Sequence, residues 1–377
     1  MYKKFIKILV TLFFVVNLPS FAQKENKMVG EKDTREFKIF QFPRNQIPRI
    51  DGKTDDWDIV PPEYTYGMEH IKDIIKGKPN DPKVFDMNMT VGWVKGLNRL
   101  YFKYEAYDSY WDFGRVDSRT AKGYMNDLLE IVVDGARAGG NLISNPLIPN
   151  RVESYMNNAG SRAQNYHIFT PPVDGEWTIV WGCQPWIKEF PYANYAYSYD
   201  FKHGEPGKLI FEFYITVFDH ASYDGPEYSI ESKFEENKTI GLTWMVLDFK
   251  GEKVKGYDAF YSLTQVGHSG ERPQPWCQAS DALPFKLMPL EKQFRKPVEA
   301  DWTFKVVDMA NRKVAFLDRS YGNITSWKWY FGDGTTSTEQ NPIHTYAKPG
   351  TTYVVLLEVS GPDGQDKKAR YWDVMIK

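Results

Sequence analysis

Cysteine is nearly missing from this chain: Cys183 and Cys277 are the two in 377 residues. A small disulfide-stapled scaffold is excluded on that count, and a chain of this length can bury a core without covalent help. Two thiols allow at most one bridge, and the sequence leaves the paired and free states both open. An excess of positive charge is missing as well. Forty-seven Lys and Arg stand against 49 Asp and Glu, a net charge of −2, so nucleic acid and anionic membrane surfaces lose their main electrostatic attraction. The six histidines, His70, His167, His203, His220, His268 and His344, have no close ligand spacing, which argues against a zinc centre. No P-loop, Rossmann glycine pattern, H-E-x-x-H or G-x-S-x-G occurs, so the common signatures of nucleotide, metalloprotease and serine-hydrolase chemistry are lacking.

Long apolar runs are scarce too. The single one, residues 8–16, follows Lys3, Lys4 and Lys7 and gives way to the small residues Ser20 and Ala22. That order reads as a secretory signal peptide over residues 1–22, too short for the ~20 apolar residues of a membrane span. No cysteine lies nearby to carry a lipid. The expected location is therefore secreted or periplasmic, after cleavage near Ala22, with no membrane span. Residues 23–38 are charged and aperiodic and read as a flexible leader.

What the chain does have is aromatic residues, 16% of the total, and short alternating segments. Met87, Met89, Val91 and Trp93 share one face of a strand. Leu100, Phe102, Tyr104 and Ala106 repeat the pattern, as do Leu129, Ile131 and Val133, and Phe211, Phe213, Ile215 and Val217. Residues 240–249 are apolar on both faces, as expected of a strand covered on both sides. A short stretch, residues 68–76, has the look of a helix. Residues 136–207 alternate weakly and are rich in Asn, Pro, Gly and Tyr, which suggests long ordered loops over a larger sandwich. Composition changes at residues 287–300. The fold class is all-β: two β-sandwich domains, at residues 39–290 and 303–377, joined by a linker at 291–302.

In the C-terminal block, Trp327, Trp329 and Phe331 alternate toward a core, and Gly332-Asp333-Gly334 permits a sharp reversal with the Asp333 carboxylate accepting turn amides. Asn341-Pro342 opens another turn. With His344, Tyr346 and Tyr353 these residues closely resemble the PKD (polycystic kidney disease) domain. The resemblance implies a seven-stranded immunoglobulin-like module, a spacer or contact module in secreted bacterial proteins, with a possible protein partner as its implied role. His344 reads as structural here.

The larger block contains Ile50-Asp51-Gly52 before Trp57, Leu100 to Asp108, Asn126-Asp127 before Glu130, Phe211-Glu212-Phe213 and Ile240 to Asp248. In order and spacing these segments resemble carbohydrate-binding module family 9. The resemblance implies that a sugar is held between two aromatic rings, at positions falling here on Tyr124 and Trp276, with Glu130 as a hydroxyl acceptor. It gives Arg272, Asn165 and His167 approximate places around the ligand. Pyranose C–H faces are apolar and stack on aromatic planes, while the hydroxyl rim needs directional partners. Alternation turns Glu130 away from the core side of Leu129 and Ile131, and Asn126 and Asp127 precede it on the same approach. A Tyr stands where the family has Trp, and residues 136–207 exceed what the module needs.

The expected function is thus a non-catalytic glycan-binding protein whose partner is a poly- or oligosaccharide. Two alternatives remain open: a surface or matrix adhesion protein with a vestigial sugar site, and a polysaccharide-cleaving enzyme using Tyr, His or Arg from residues 136–207. Glycoside hydrolysis needs a pair of carboxylates about 5–10 Å apart, and sequence does not place one. No cofactor is implied, though Asp51, Asp55, Asp56 and Asp58 form a candidate structural calcium cluster that competes with a solvated turn.

Overall fold

A computed structural model describes residues 33–115, 125–145, 147–173, 175–251 and 256–376. The chain divides into two compact units between Pro289 and Leu290. The segment expected to be a signal peptide and most of the expected leader lie outside the described residues.

The first unit contains β1 (Phe37–Gln41), β2 (Thr65–Gly67), β3 (Lys72–Asp73), β4 (Phe85–Trp93) and β5 (Arg99–Asp108). Then come β6 (Leu128–Asp134), the helix α1 (Arg151–Asn158), β7 (Gln164–Phe169), β8 (Thr178–Val180) and β9 (Ala193–Tyr199). The last six are β10 (Gly207–Thr216), β11 (Phe218–His220), β12 (Ile230–Glu231), β13 (Thr239–Asp248), β14 (Ala259–Ser262) and β15 (Leu283–Leu287). One sheet runs β8-β7-β6-β13-β15, with β14 and β3 continuing from β13; the other runs β4-β5-β10-β9, with β2 beside β4. Strand β1 belongs to both. Its residues Phe37 to Ile39 pair with β15, and Phe40 and Gln41 pair with β4.

Alternation decides which side chains meet between the sheets. Val91, Phe102 and Phe213 stand in register across β4, β5 and β10, and the last two rings stack at 4.7 Å. They face Leu129, Ile131 and Val133 of β6 and Ile240, Leu242, Trp244 and Val246 of β13 in one buried core. The first sheet is covered on its outer face too. Leu128 and Val132 of β6, Phe169, Met245, Leu247 and Phe260 form a second buried cluster with Leu142, Ala163 and Ala279 from the segments laid over them. Double coverage explains why β13 carries apolar residues on both faces.

Three expectations need correction. Residues 33–38 are ordered: Arg35 hydrogen-bonds His70 O at 2.9 Å and Leu263 O at 2.5 Å, and Phe37 is in the core. Residues 68–76 give one 3-10 turn, Met68–His70, and then β3. Residues 136–207 are more than loops, because they supply β7, β8, β9 and α1. The side chain of Asn150 caps α1 by accepting from Val152 N and Glu153 N.

The second unit has β16 (Trp302–Asp308), β17 (Lys313–Asp318), β18 (Ser326–Tyr330), β19 (Thr336–Ser337), β20 (Ile343–Thr345), β21 (Thr351–Gly361) and β22 (Gly364–Ile376). They form a sheet β16-β17-β20 and a sheet β19-β18-β21-β22 around Trp302, Phe316, Trp329, Phe331 and Tyr346. Gly332 has φ of 83°, and a Cβ there would lie 2.5 Å from Val354 O, so the turn requires glycine. Asp333 accepts from Thr335 N at 3.0 Å and stands 2.7 Å from His344 Nε2, while the His344 ring stacks on Phe331 at 4.1 Å.

Candidate functional site

On the outer face of the first sheet, one stretch of the cluster is polar. Glu130 of β6 stands in register between Met245 of β13 and His167 of β7. Asn165, two residues before His167, shares its face. All three polar side chains are buried: Glu130 is 2% exposed, Asn165 1% and His167 6%. Alternation does turn Glu130 away from the main core, but the segments that build the second cluster close over it. The expected solvent-facing carboxylate is therefore an enclosed one.

Asn165 Nδ2 donates to Glu130 Oε1 at 2.7 Å and to Trp276 O at 3.0 Å, using both of its hydrogens. His167 Nε2 lies 3.1 Å from Glu130 Oε1 but out of line for a hydrogen bond. This leaves His167 Nε2 and Asn165 Oδ1 buried and without a partner. Such orphans are uncommon in folded proteins because each forfeits its hydration, at a cost of about 1–3 kcal/mol. Trp181 borders the imidazole with its ring, whereas Trp276 meets the cluster through its backbone carbonyl. Trp181, which follows β8 and is 36% exposed, meets the His167 ring edge-to-face at 5.0 Å. Trp276 is half-buried and meets Phe260 at 5.4 Å.

The loop that carries Trp276 is fixed from within. Asp281 accepts from His268 N at 2.8 Å and Gln274 N at 2.6 Å, and its Oδ1 is 2.7 Å from His268 Nδ1. Leu142 N donates to Cys277 O at 2.8 Å, tying the loop to the covering segment. Cys183 and Cys277 are both free thiols. Burial pushes the Cys277 thiol up to about 11, with the charges of Asp281 and Glu130 adding to it.

Of the residues expected around a ligand, the structure brings together Glu130, Asn165, His167 and Trp276. Tyr124 lies outside the described residues. Asp127 belongs elsewhere, because it shares the parity of Leu129 and points between the sheets, accepting from Phe249 N at 2.8 Å and Asp112 N at 2.6 Å. Asn126 donates to Asp112 Oδ1 at 2.5 Å, and the exposed Arg272 makes no described contact with the cluster. Trp181 went unanticipated, although its alternation with Ile179 along β8 signals the shared face. The Asp51, Asp55, Asp56 and Asp58 cluster is an exposed turn in which Arg49 pairs with Asp55 and Asp56.

Residues 296–376 match the family model described as PKD domain. The chain carries a PKD domain. Within that region it is 51% identical over 47 residues to collagenase ColA of Bacillus cereus, which is 12% of this chain and 5% of that protein. The chain thus spans about 5% of the length of that curated relative. The PKD1 domain of the Vibrio cholerae metalloprotease PrtV is 31% identical, with 20% of this chain and 94% of that one covered at a TM-score of 0.18. A carbohydrate binding module family 9 from Caldicellulosiruptor kristjanssonii, solved in complex with glucose, is similar over 68% of this chain and 98% of its own, at 13% identity and a TM-score of 0.41. No helix among the described residues is long and apolar enough to cross a membrane.

Proposed function

We propose that the first unit binds a carbohydrate on the outer face of its first sheet, at Glu130, Asn165 and His167, with Trp181 and Trp276 supplying the stacking surfaces. The observation that carries this reading is the pair of unpartnered buried atoms, His167 Nε2 and Asn165 Oδ1, beside a carboxylate, next to the partly exposed Trp181 ring and the backbone of the Trp276 loop. Sugar hydroxyls both donate and accept, so they match this mixture of groups, and pyranose C–H faces suit the indole planes. Because the polar atoms are closed to water in the free chain, ligand entry moves the Trp181 or Trp276 side chain aside. Tyr124, Asn126 and Arg272 are candidates for the outer rim. Asp127 is not.

The protein acts as a non-catalytic glycan binder, exported through the N-terminal segment to the periplasm or beyond, with the PKD domain as a spacer or contact module. A glycan array probed with the full chain tests this. Binding to a defined set of glycans that weakens in both Trp181→Ala and Trp276→Ala supports the site. Absence of binding favours protein adhesion, and release of reducing ends or unsaturated products from the same glycans favours cleavage.

A further inference from the structure

At one end of the main core, three carboxylates converge from both sheets. Asp108 closes β5 in one sheet, whereas Asp127 enters β6 and Asp248 closes β13 in the other. Each offers one ligand oxygen, and these oxygens lie within 4.8 Å of one another. The three side chains are 1%, 2% and 1% exposed. Backbone amides occupy part of their capacity: Tyr110 N donates to Asp108 Oδ1 at 2.9 Å, and Asp127 accepts from Phe249 and Asp112. Asp108 Oδ2 and both oxygens of Asp248 have no partner, and neither does the buried hydroxyl of Tyr104. The charges of all three aspartates bear on that phenol.

The charges of Lys250, Lys78 and Lys76 reach Asp248, and that of Lys250 reaches Asp108, without direct pairing. Lys78 and Lys250 pair with Asp258 at 2.8 and 3.6 Å, and among the described residues no Lys, Arg or His forms an ion pair with the three aspartates. Burial raises the Asp108 carboxyl first, and the Asp248 charge adds to it. Buried like charges with open lone pairs are expensive unless a proton or a metal ion neutralises them. All-oxygen donor sets suit hard cations such as calcium and magnesium, which take carboxylate, carbonyl and water oxygens.

We propose that Asp108, Asp127 and Asp248 hold a hard divalent cation that clamps the two sheets together. The free oxygens of Asp108 and Asp248 supply its ligands, with Asp127 oriented by the Asp112 and Phe249 amides. The cation would tie three strand ends that otherwise repel one another, so its role is to stabilise the sandwich. This inference is independent of the sugar site.

The test is thermal unfolding of the full chain, stripped with EDTA and then given calcium or magnesium chloride alone at millimolar concentration. A rise of about 5–10 °C in the transition of the larger domain with either ion is expected, the size produced by an ion near 100 times its Kd. Asp248→Asn should fold in EDTA at least as well as the stripped parent, since one repelling charge is gone, and should lose the response. Should that variant not fold, terbium titrated into the unaltered chain serves instead. Its aromatic-sensitised luminescence should appear at one equivalent, fall on adding calcium, and be lost in Asp108→Asn. No shift with either ion, or a shift that Asp248→Asn retains, would overturn the proposal, as would terbium luminescence unchanged in Asp108→Asn.

Discussion

His167 Nε2 stands 3.1 Å from Glu130 Oε1 across adjacent strands, yet the two are misaligned for a hydrogen bond. Two polar groups are thus held together and left incompletely satisfied, a state that a ligand with its own donors and acceptors relieves. Replacing His167 with Phe removes an orphan and keeps the bulk. Stability should rise or stay within about 0.5 kcal/mol of the parent, while glycan binding falls. Equilibrium denaturation and a binding titration on the same sample measure both, and a large loss of stability would mean that the imidazole is already satisfied in the free chain.

Asn165 has a different part, since its amide bridges Glu130 and the backbone of Trp276. Asn165→Ala leaves a buried carboxylate short of a donor and releases the Trp276 loop, so a cost of roughly 1–3 kcal/mol is expected. Urea unfolding measures it, and a change below about 0.5 kcal/mol would remove the bridge from the account.

Much of the fold was legible because one face of each strand meets the core. The alternation of Met87 to Trp93, Leu100 to Ala106 and Phe211 to Val217 is the direct imprint of inter-sheet packing. Strand β7 escaped notice because its alternation is short: in Gln164-Asn-Tyr-His-Ile-Phe169 only residues 165–168 alternate polar with apolar, and the polar Gln164 and apolar Phe169, buried like the rest, break the pattern at both ends. Double burial misled the reading of Glu130, whose parity was right and whose exposure was not. Asp127 was assigned to the wrong side even though its parity with Leu129 and Ile131 was readable. Long-range polar contacts were not: nothing in the sequence says that the Trp57 indole donates to Glu212 at 2.6 Å.

That contact yields its own prediction. Glu212 also accepts from Gly52 N at 2.7 Å, so one carboxylate pins the Asp51-Gly52 turn and Trp57 to β10. Glu212→Gln puts an amide donor against one of two existing donors. A loss of about 1–3 kcal/mol is expected, read from the denaturant midpoint; an unchanged midpoint would show the turn held by other contacts.

In the PKD domain, burial works against the Asp333 carboxylate, but the Thr335 hydroxyl and amide and the His344 ring hold it below its ordinary value. A depressed carboxylate binds its proton more weakly folded than unfolded. Its stabilisation is therefore present above the unfolded value of about 4 and is lost as pH falls through the lower folded value. Melting curves between pH 5 and about 2.5 should show a decline for this domain that is shallower in Asp333→Asn; equal slopes would contradict the assignment.

Burial pushes the thiols of Cys183 and Cys277 up to about 11. Thiolate is the reacting species, so alkylation of the native chain should be slow at neutral pH and accelerate about tenfold per pH unit toward that value. Mass spectrometry after iodoacetamide treatment checks this, and rapid labelling at neutral pH or an intact disulfide would refute it.

The central claim is that Glu130, Asn165 and His167, bordered by Trp181 and Trp276, form a sugar site. Its most direct test is calorimetric titration of the full chain with a glycan selected on the array, repeated with Trp181→Ala, whose ring is partly exposed and removable without opening the core. Saturable binding that weakens roughly tenfold or more in the variant, the effect of losing about 1.4 kcal/mol of ring contact, is the predicted result. An affinity identical in parent and variant would contradict it.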